Sequence, residues 1–267
     1  TLHGTAEWLR SGMPGLSTLV QQWFRDGSQI SMFSDNIIEQ VNIGSGGQLT
    51  SHGSTWKCIV IPECTTMPET TLLQLQSLAK QGAHVIFIGK PPKQVPGYHQ
   101  REQRQMAMDQ LWSNILASPI SKPDTRAKSY TYGRGLITLA PDWQAARAAG
   151  RWLSEPMANI TLGIRRFRIG TTPAHFIVNR ANGTHQKHLT VAHSGPRPRT
   201  ATILDPRTGS KVIAPVMSNT ASTVTLQTDF PVDSVRFVIW DNPKMPAPIG
   251  IAAMRRERNL AHGPLDV

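Results

Sequence analysis

The sequence contains few cysteines, few acidic residues and no long apolar segment. Its 267 residues include two cysteines, and 17 Asp and Glu residues stand against 28 Lys and Arg residues, which gives a formal net charge of +11. No apolar run approaches the roughly 18 residues that a membrane-spanning helix needs, so the sequence predicts no such helix. The N-terminus lacks a basic segment followed by an apolar one, so no signal peptide is expected in this chain.

The two cysteines are not expected to bond to each other, because Cys58 lies within a predicted strand and Cys64 follows it. About 20 Å of extended chain separates them, which is too far for a disulfide. The nine histidines form no H-x-H or H-E-x-x-H pattern, so no metal site and no cofactor is predicted. Four histidines in the C-terminal half are expected at the surface or in loops: His175, His185, His188 and His193.

Residues 55–97 have the pattern of a strand, a helix and a second strand in one compact unit. The apolar runs 57–62 and 84–88 predict buried strands. Between them, Thr66 is the predicted N-cap of a helix and Gly82 is the glycine that ends it. The apolar residues at helical spacing are Leu72, Leu75, Leu78 and Ala79. Strands this close, joined by a crossover helix, are expected to pair in parallel with a right-handed connection.

Polar side chains follow both of these strands. Glu63 and Cys64 come after the first strand, and Lys90 comes after the second. Because the carboxyl ends of parallel strands meet at one edge of a sheet, these residues predict a crevice for a sugar or an anion. The alternative is that they are ordinary loop residues at the surface.

Cys64 also precedes a helix, as the nucleophilic cysteine of amidotransferase-like folds does. Its neighbours are not the small residues of a nucleophile elbow, and the adjacent Glu63 carboxylate raises the pKa of a thiol. A hydrolase or amidotransferase that depends on Cys64 therefore stays a third hypothesis.

The sequence divides into two domains and a tail. A Rossmann-like α/β domain with a parallel sheet is predicted over residues 1–155. Besides the strand-helix-strand unit, this domain is expected to contain helices at 16–26, 100–116 and 141–153, a short strand at 30–33 and a hairpin at 41–50. An antiparallel β-sandwich is predicted over 156–245, with a turn at Asp205–Gly209. Its strands are expected at 163–169, 175–179, 186–192, 200–204, 211–215, 224–227 and 235–240. A basic, proline-containing tail occupies 246–267.

Several segments match a known family in the same order along the chain. They are Phe33-Ser34-Asp35, WKCIVIPECTTMPETTLLQLQSLAKQGAHVIFIGKPPKQVPGY, Leu111-Trp112, GRGLITL, IRRFRIGTTPAHFIVNRANG, ILDPRTGS and VRFVIWD. Over most of residues 20–241, this ordered set resembles the C-terminal part of the α-L-rhamnosidases of glycoside hydrolase family 106. The resemblance implies a domain like the class I glutamine amidotransferases followed by a β-sandwich, and a secreted or periplasmic protein.

The family's catalytic machinery lies on a (β/α)8 barrel of about 200–250 residues, for which the sequence before Thr55 has no room. The catalytic carboxylate pair therefore has no counterpart here. The resemblance implies a non-catalytic accessory region that supports a catalytic barrel domain or subunit and can contact carbohydrate.

The positive charge supports a second hypothesis, a stand-alone protein that binds nucleic acid or another polyanion. The densest basic groups are 165–168, 197–199 and 255–258. Arg166 and Arg168 fall on one face of a predicted strand, where they can bind a phosphate or a uronate or simply be solvated.

Two further features bear on carbohydrate. Trp240 ends the last predicted strand and is the best candidate for an exposed ring that stacks on sugar; Trp23, Trp56, Trp112 and Trp152 are expected in the core. Asn159 and Asn182 each begin a glycosylation sequon, and Asn182-Gly183 also fits a hairpin turn.

Overall fold

The structure is a computed structural model that describes residues 16–28, 30–120, 126–151, 154–159, 161–169, 172–193, 197–240 and 256–257. The chain divides into two compact units. Unit 1 comprises Thr1–Gln22 and Ser31–Trp152, and unit 2 comprises Trp23–Ile30 and Leu153–Val267. The described helices are α1 (Leu16–Asp26), α2 (Asp35–Ile38), α3 (Glu69–Gln81), α4 (Arg101–Leu116) and α5 (Trp143–Gly150). None of them is long and apolar enough to cross a membrane.

Unit 1 contains a small antiparallel sheet and a larger mixed sheet. The small sheet consists of β1 (Asn42–Ile43), β2 (Leu49–Ser51) and β3 (Ser54–Trp56), in that order. The strands of the larger sheet are β4 (Ile59–Ile61), β5 (His84–Ile88), β6 (Pro119–Ile120), β7 (Lys128–Tyr132) and β8 (Gly135–Ala140). Their order across the sheet is β4-β5-β8-β7-β6.

The larger sheet confirms the parallel pairing expected for the two buried strands but is not parallel throughout. Strands β4, β5 and β8 are parallel, with Ile59 opposite Val85, whereas β7 and β6 are antiparallel additions. The turn at Gly133-Arg134 explains the change of direction, since so short a connection can join only antiparallel neighbours. The parallel sheet predicted from the sequence is therefore present as three of the five strands of a mixed sheet.

The predicted N-cap of α3 is wrong, and a contact distant in sequence explains why. The helix begins at Glu69 with Pro68 in the cap position. Thr66 instead forms a parallel bridge with Gln94, and the N–H of Met67 donates to the Gln94 carbonyl at 3.0 Å. Thr66 is thus held in extended chain. The predicted end of the helix is confirmed, because Gly82 adopts φ 126° and its N–H donates to the carbonyls of Leu78 and Ala79.

The predicted strand at 30–33 is also wrong. Residues 31–34 are irregular, with Phe33 edge-on to the Trp56 ring at 4.7 Å and Ser31 accepting a hydrogen bond from the Trp56 indole at 3.1 Å. These side-chain contacts take the place of strand pairing. The hairpin predicted at 41–50 is confirmed as β1 and β2, to which β3 adds a third strand.

Unit 2 is an antiparallel sheet that contains every strand predicted for this half of the chain. Its strands are β9 (Leu162–Ile169), β10 (Thr172–Asn179), β11 (Gln186–Ala192), β12 (Thr200–Leu204), β13 (Lys211–Asn219), β14 (Thr223–Phe230), β15 (Ser234–Trp240) and β16 (Arg256–Glu257). The order is β11-β14-β13-β12-β15-β10-β9, with β16 paired to β13. The rest of the predicted tail lies outside the described residues.

This sheet is continuous and curled rather than two separate sheets of a sandwich. Strand β13 pairs with β12 through Lys211–Pro215 and with β14 through Val216–Asn219, and its register shifts between Val216 and Ser218. Such an irregularity bends a strand, so the two halves of the sheet can face each other. They enclose one core, formed by Leu162, Ile164, Ile177, Leu189, Val191, Ala201, Ile203, Ala214, Val224, Leu226, Phe230, Val238 and Trp240. The turn predicted at Asp205–Gly209 is present, closed by hydrogen bonds from Gly209 N–H to the Asp205 carbonyl and from Asp205 N–H to the Ser210 carbonyl.

Candidate functional site

Glu63, Cys64 and Lys90 stand at the ends of β4 and β5, where the sequence predicts a crevice. Glu63 and Lys90 are exposed, and Cys64 is half-buried. The Glu63 side chain lies against Gly89, which has φ +73°; a Cβ at this position would approach Glu63 Oε2 to 2.5 Å. No salt bridge among the described residues joins Lys90 to Glu63. The strand ends therefore bring the two residues to one edge of the sheet without pairing their charges.

The loop that follows β5 is held by Arg104 of α4. Its Nε lies 3.1 Å from both carboxylate oxygens of Glu69, and its terminal nitrogens donate to the carbonyls of Pro96 and His99. The bridge between Thr66 and Gln94 and the bonds of Arg104 fasten the loop after β5 to the segment before α3 and to α3 itself.

The Cys64 thiol is not activated for nucleophilic attack. Burial raises the pKa of Cys64, and the carboxylates of Asp35 and Glu63 raise it further. Burial also raises the pKa of Cys58 to about 11, against a smaller opposite effect of Lys57. Both thiols are free. Because the thiolate is the nucleophile, a protonated thiol in this position is unsuited to covalent catalysis.

A second polar cluster lies inside unit 2 around Glu155, whose side chain is 0 % exposed. One of its oxygens, Oε2, accepts a hydrogen bond from the N–H of Ala192 at 2.7 Å. The other, Oε1, lies 3.0 Å from Arg166 Nε, a contact that is an ion pair rather than an aligned hydrogen bond, and 3.7 Å from His175 Nε2. Gly27 packs directly against Glu155, since a Cβ there would come within 2.5 Å of the Glu155 Cβ.

The ring of His175 lies between this carboxylate and Trp240. The indole N–H of Trp240 donates to His175 Nδ1 at 3.0 Å. An indole is only a donor, so Nδ1 must be an acceptor, and the neutral ring then carries its proton on Nε2. Nε2 lies 3.7 Å from Glu155 Oε1, which is too long for a hydrogen bond, so the His175 ring packs between Trp240 and the carboxylate without bonding to the carboxylate. His193 meets the other side of the indole at 5.6 Å between ring centroids.

Three sequence-based expectations are corrected by this cluster. His175 and His193 are buried, not surface or loop residues, because the inward face of the curled sheet encloses them. Trp240 is 3 % exposed and packs in the core, so it cannot be an exposed platform for sugar. Glu155, the centre of the cluster, was not predicted at all.

The remaining predictions divide between the two units. Arg166 binds Glu155, but Arg168 is exposed on the same strand. His185 and His188 are exposed, as expected. Trp23 is buried, and Trp56 and Trp112 pack at the core of unit 1; Trp152 lies outside the described residues. Asn182 lies in an exposed turn, but β10 and β11 on either side are not neighbours in the sheet, so the predicted hairpin is wrong.

The part of the chain that the structure describes contains no group of three or more His, Cys, Asp and Glu side chains that could hold a metal ion. In unit 2 the buried Glu155 carboxylate is held by the Ala192 N–H and Arg166 instead. Chemically, the unit 1 edge can offer hydrogen bonds to a small polar ligand, and the unit 2 cluster can stabilise the sheet.

The fold of this chain is similar to part of a glycoside hydrolase chain of known structure. The rhamnosidase of Novosphingobium sp. PP1Y matches 82% of this chain with a TM-score of 0.60 and 16% sequence identity. The match covers 20% of the rhamnosidase, so this chain spans about a fifth of that protein's length. At this level of identity the likeness concerns the fold alone.

Two weaker matches come from glycoside hydrolases of family GH42. Gan42B, a β-galactosidase of G. stearothermophilus, matches 85% of this chain and 36% of its own at 10% identity and a TM-score of 0.44. An exo-carrageenase from Bacteroides ovatus matches 85% of this chain and 26% of its own at 12% identity and a TM-score of 0.42. No family model and no curated protein sequence matches the chain.

Proposed function

We propose that this chain is a non-catalytic accessory region of an α-L-rhamnosidase-like glycoside hydrolase. The observation that carries the proposal is the shared fold: both units together resemble one fifth of a rhamnosidase chain. In this role the chain supports a catalytic barrel domain or subunit and does not itself cleave a glycosidic bond.

The chemistry of the two polar clusters favours a non-catalytic role for the chain. The thiol of Cys64 is kept protonated by burial and by Glu63 and Asp35. The Glu155 carboxylate is enclosed and already bound, whereas a catalytic acid or base must reach its substrate. Neither cluster offers the two accessible carboxylates that glycoside hydrolysis uses.

A finer description of unit 1 belongs to the same proposal. We infer that it is a diverged relative of the class I glutamine amidotransferase domain. Three adjacent parallel strands with a crossover helix between the first two support this, and so does a cysteine after β4. The raised pKa of Cys64 is what a relative that has lost the reaction would show.

Carbohydrate contact, if it occurs on this chain, is proposed at the strand ends of unit 1. Glu63 and Lys90 are exposed there and offer one acceptor and one donor group for sugar hydroxyls. On unit 2, the exposed Arg168 remains available to a uronate or a phosphate.

The first test is the intact mass of the natural gene product. A product several times larger than 29.4 kDa that contains a barrel domain supports the proposal, and a product of 29.4 kDa that copurifies with no catalytic subunit contradicts it. The second test is hydrolysis of an aryl α-L-rhamnoside by this chain alone. We expect none, and turnover at an enzyme-like rate would overturn the proposal.

A binding assay with polyanions tests the alternative hypothesis of a basic binding protein. Binding to heparin or DNA that weakens steeply with salt would favour a basic binding protein instead. Absence of binding at low salt removes that alternative.

A further inference from the structure

The curled sheet of unit 2 is apolar on its outer face as well as on its inner face. Side chains alternate along β9, β10 and β15, so the residues between the core positions point away from the core. We call these the outer face. Its principal members are Phe167, Phe176, Leu204, Ile213, Phe237 and Ile239.

The two faces differ in exposure although both are apolar. Inward residues such as Ile177 and Val238 are at most 1 % exposed, whereas the three phenylalanines of the outer face are only half-buried. Their rings pack on each other, with centroids 5.9 Å apart for Phe167 and Phe237 and 5.1 Å apart for Phe176 and Phe237. Antiparallel sheets in water usually carry polar residues on the face opposite the core. A contiguous apolar patch of this kind is typical of a surface that another protein covers.

Exposed apolar side chains also lie at the edges of the patch. Ile213 on β13 is 36% exposed, and Ile169 at the end of β9 is 51% exposed. The patch therefore crosses the five strands from β9 to β13, and its rings do not form one flat platform, because Phe167 and Phe237 meet at 80°. Sugar stacking needs an open ring face, so this geometry favours a protein partner over a glycan.

Two cations stand on the outer face. Arg165 stands directly opposite Phe176, and Lys211 stands directly opposite Leu204. Both are exposed; Glu257 of β16 stands opposite Lys211, whereas no salt bridge among the described residues involves Arg165. A second copy of the chain would bring a further apolar patch edged by cations. A partner with an apolar centre and an acidic edge matches the charge better.

We propose that the outer face is the surface through which this chain docks on the catalytic domain of its own glycoside hydrolase, at an apolar patch edged by Asp and Glu. The inference rests on the proposed function, since it names the partner that the accessory role requires. The docking surface then lies on unit 2, on the face of the curled sheet that points away from its core.

The experiment is hydroxyl-radical footprinting of this chain alone and of the natural full-length gene product. In the full-length product we expect modification of Phe167, Phe176 and Phe237 to fall at least about fivefold, because covered side chains lose contact with water. Met217, which is 54% exposed on the other part of β13, is the internal control and is expected to keep its reactivity.

Two variants of the full-length product, each compared with a matched control, distinguish a loss of docking from a loss of folding. Ile213→Glu is expected to restore the modification of the phenylalanines to the level of the isolated chain, and Met217→Glu is expected to leave them protected. Arg165→Glu, at an exposed position that cannot disturb the core, is expected to raise the modification severalfold, with the exposed Arg207→Glu as its control.

The outcomes distinguish this inference from the proposed function. A larger gene product whose phenylalanines stay as reactive as in the isolated chain overturns the docking surface and leaves the accessory role intact. A product of 29.4 kDa that copurifies with no catalytic subunit overturns both. If the isolated chain dimerises and Ile213→Glu abolishes the dimer, a second copy occupies the face and the inference is wrong.

Discussion

Arg166 reaches from the edge strand β9 to the interior of unit 2, where its Nε lies 3.0 Å from Oε1 of the enclosed Glu155. The arginine side chain is 24% exposed, so it lies between the fully buried carboxylate and the solvent. Among the described residues, the groups found beside the carboxylate oxygens are Arg166, the Ala192 N–H and, at 3.7 Å, the His175 ring. Removing one of these partners leaves the charge uncompensated.

Arg166→Met is therefore expected to destabilise unit 2 by about 3 kcal/mol, the usual effect of breaking a buried ion pair. Urea unfolding followed by tryptophan fluorescence measures it. The matched control is Arg168→Met, two residues along the same face but exposed, for which a change within about 0.5 kcal/mol is expected.

The double variant Glu155→Gln with Arg166→Met tests the cause. Neutralising the carboxylate is expected to recover part of the stability that Arg166→Met loses, since the penalty comes from the unpaired charge. Equal stability of Arg166→Met and Arg168→Met would contradict the importance of the pair.

Trp240→Phe is expected to lower stability by about 1–3 kcal/mol, because it removes the donor to His175 and leaves a buried ring nitrogen unpaired. Trp56→Phe is the control, since its indole bonds to Ser31 near the surface and its loss is expected to have a smaller effect. Thermal unfolding compares the two variants. Unchanged stability would contradict the importance of the hydrogen bond between Trp240 and His175.

The strands of unit 2 could be predicted from the sequence because their evidence is local. Short β-type runs alternate with turn residues, and the runs 186–192 and 200–204 match β11 and β12 at both ends. The same alternation also indicates which side chains face the core. His175 stands in phase with Ile177 on β10, and Trp240 stands in phase with Val238 on β15, so both share the buried face.

The polar cluster could not be predicted, because its members come from separate parts of the chain. Glu155 lies beyond the end of the predicted helix at 141–153, and its bond to Ala192 spans 37 residues. A similar contact explains the wrong N-cap: the pairing of Thr66 with Gln94 overrides a local capping pattern. The strand ends of unit 1 were predictable, since parallel pairing follows from the spacing of two strands around one helix.

Cys64 is expected to react slowly with thiol reagents. In a Cys58→Ser background, modification by a disulfide reagent at pH 8 is expected to be at least about tenfold slower than for a free cysteine peptide, because burial, Asp35 and Glu63 raise the thiol pKa. Glu63→Gln is expected to accelerate the reaction, and Glu102→Gln on the exposed face of α4 is expected to leave it unchanged. A rate that equals or exceeds that of the free peptide would revive the hypothesis of a catalytic Cys64.

The stability of unit 1 is expected to fall as the solution is acidified, and His84 is the reason. Its Nε2 lies 2.8 Å from Thr138 Oγ1, which in turn lies 2.9 Å from Ser129 Oγ. Burial lowers the pKa of His84 from 6.5 to about 4. The unfolded chain therefore takes up the proton first as the pH falls, which favours unfolding between about pH 6.5 and pH 4 and has no further effect below that window.

The expected loss across this window is at most about 3 kcal/mol, since each pKa unit corresponds to about 1.4 kcal/mol. Urea unfolding of the wild type and of His84→Gln at pH 7 and pH 4.5 measures it. The variant keeps a polar group beside Thr138 but cannot titrate, so its stability is expected to change less with pH than that of the wild type. His188→Gln, at an exposed position on β11, is expected to behave like the wild type. If His84→Gln shows the same pH dependence as the wild type, the acid sensitivity arises elsewhere and the buried histidine does not control it.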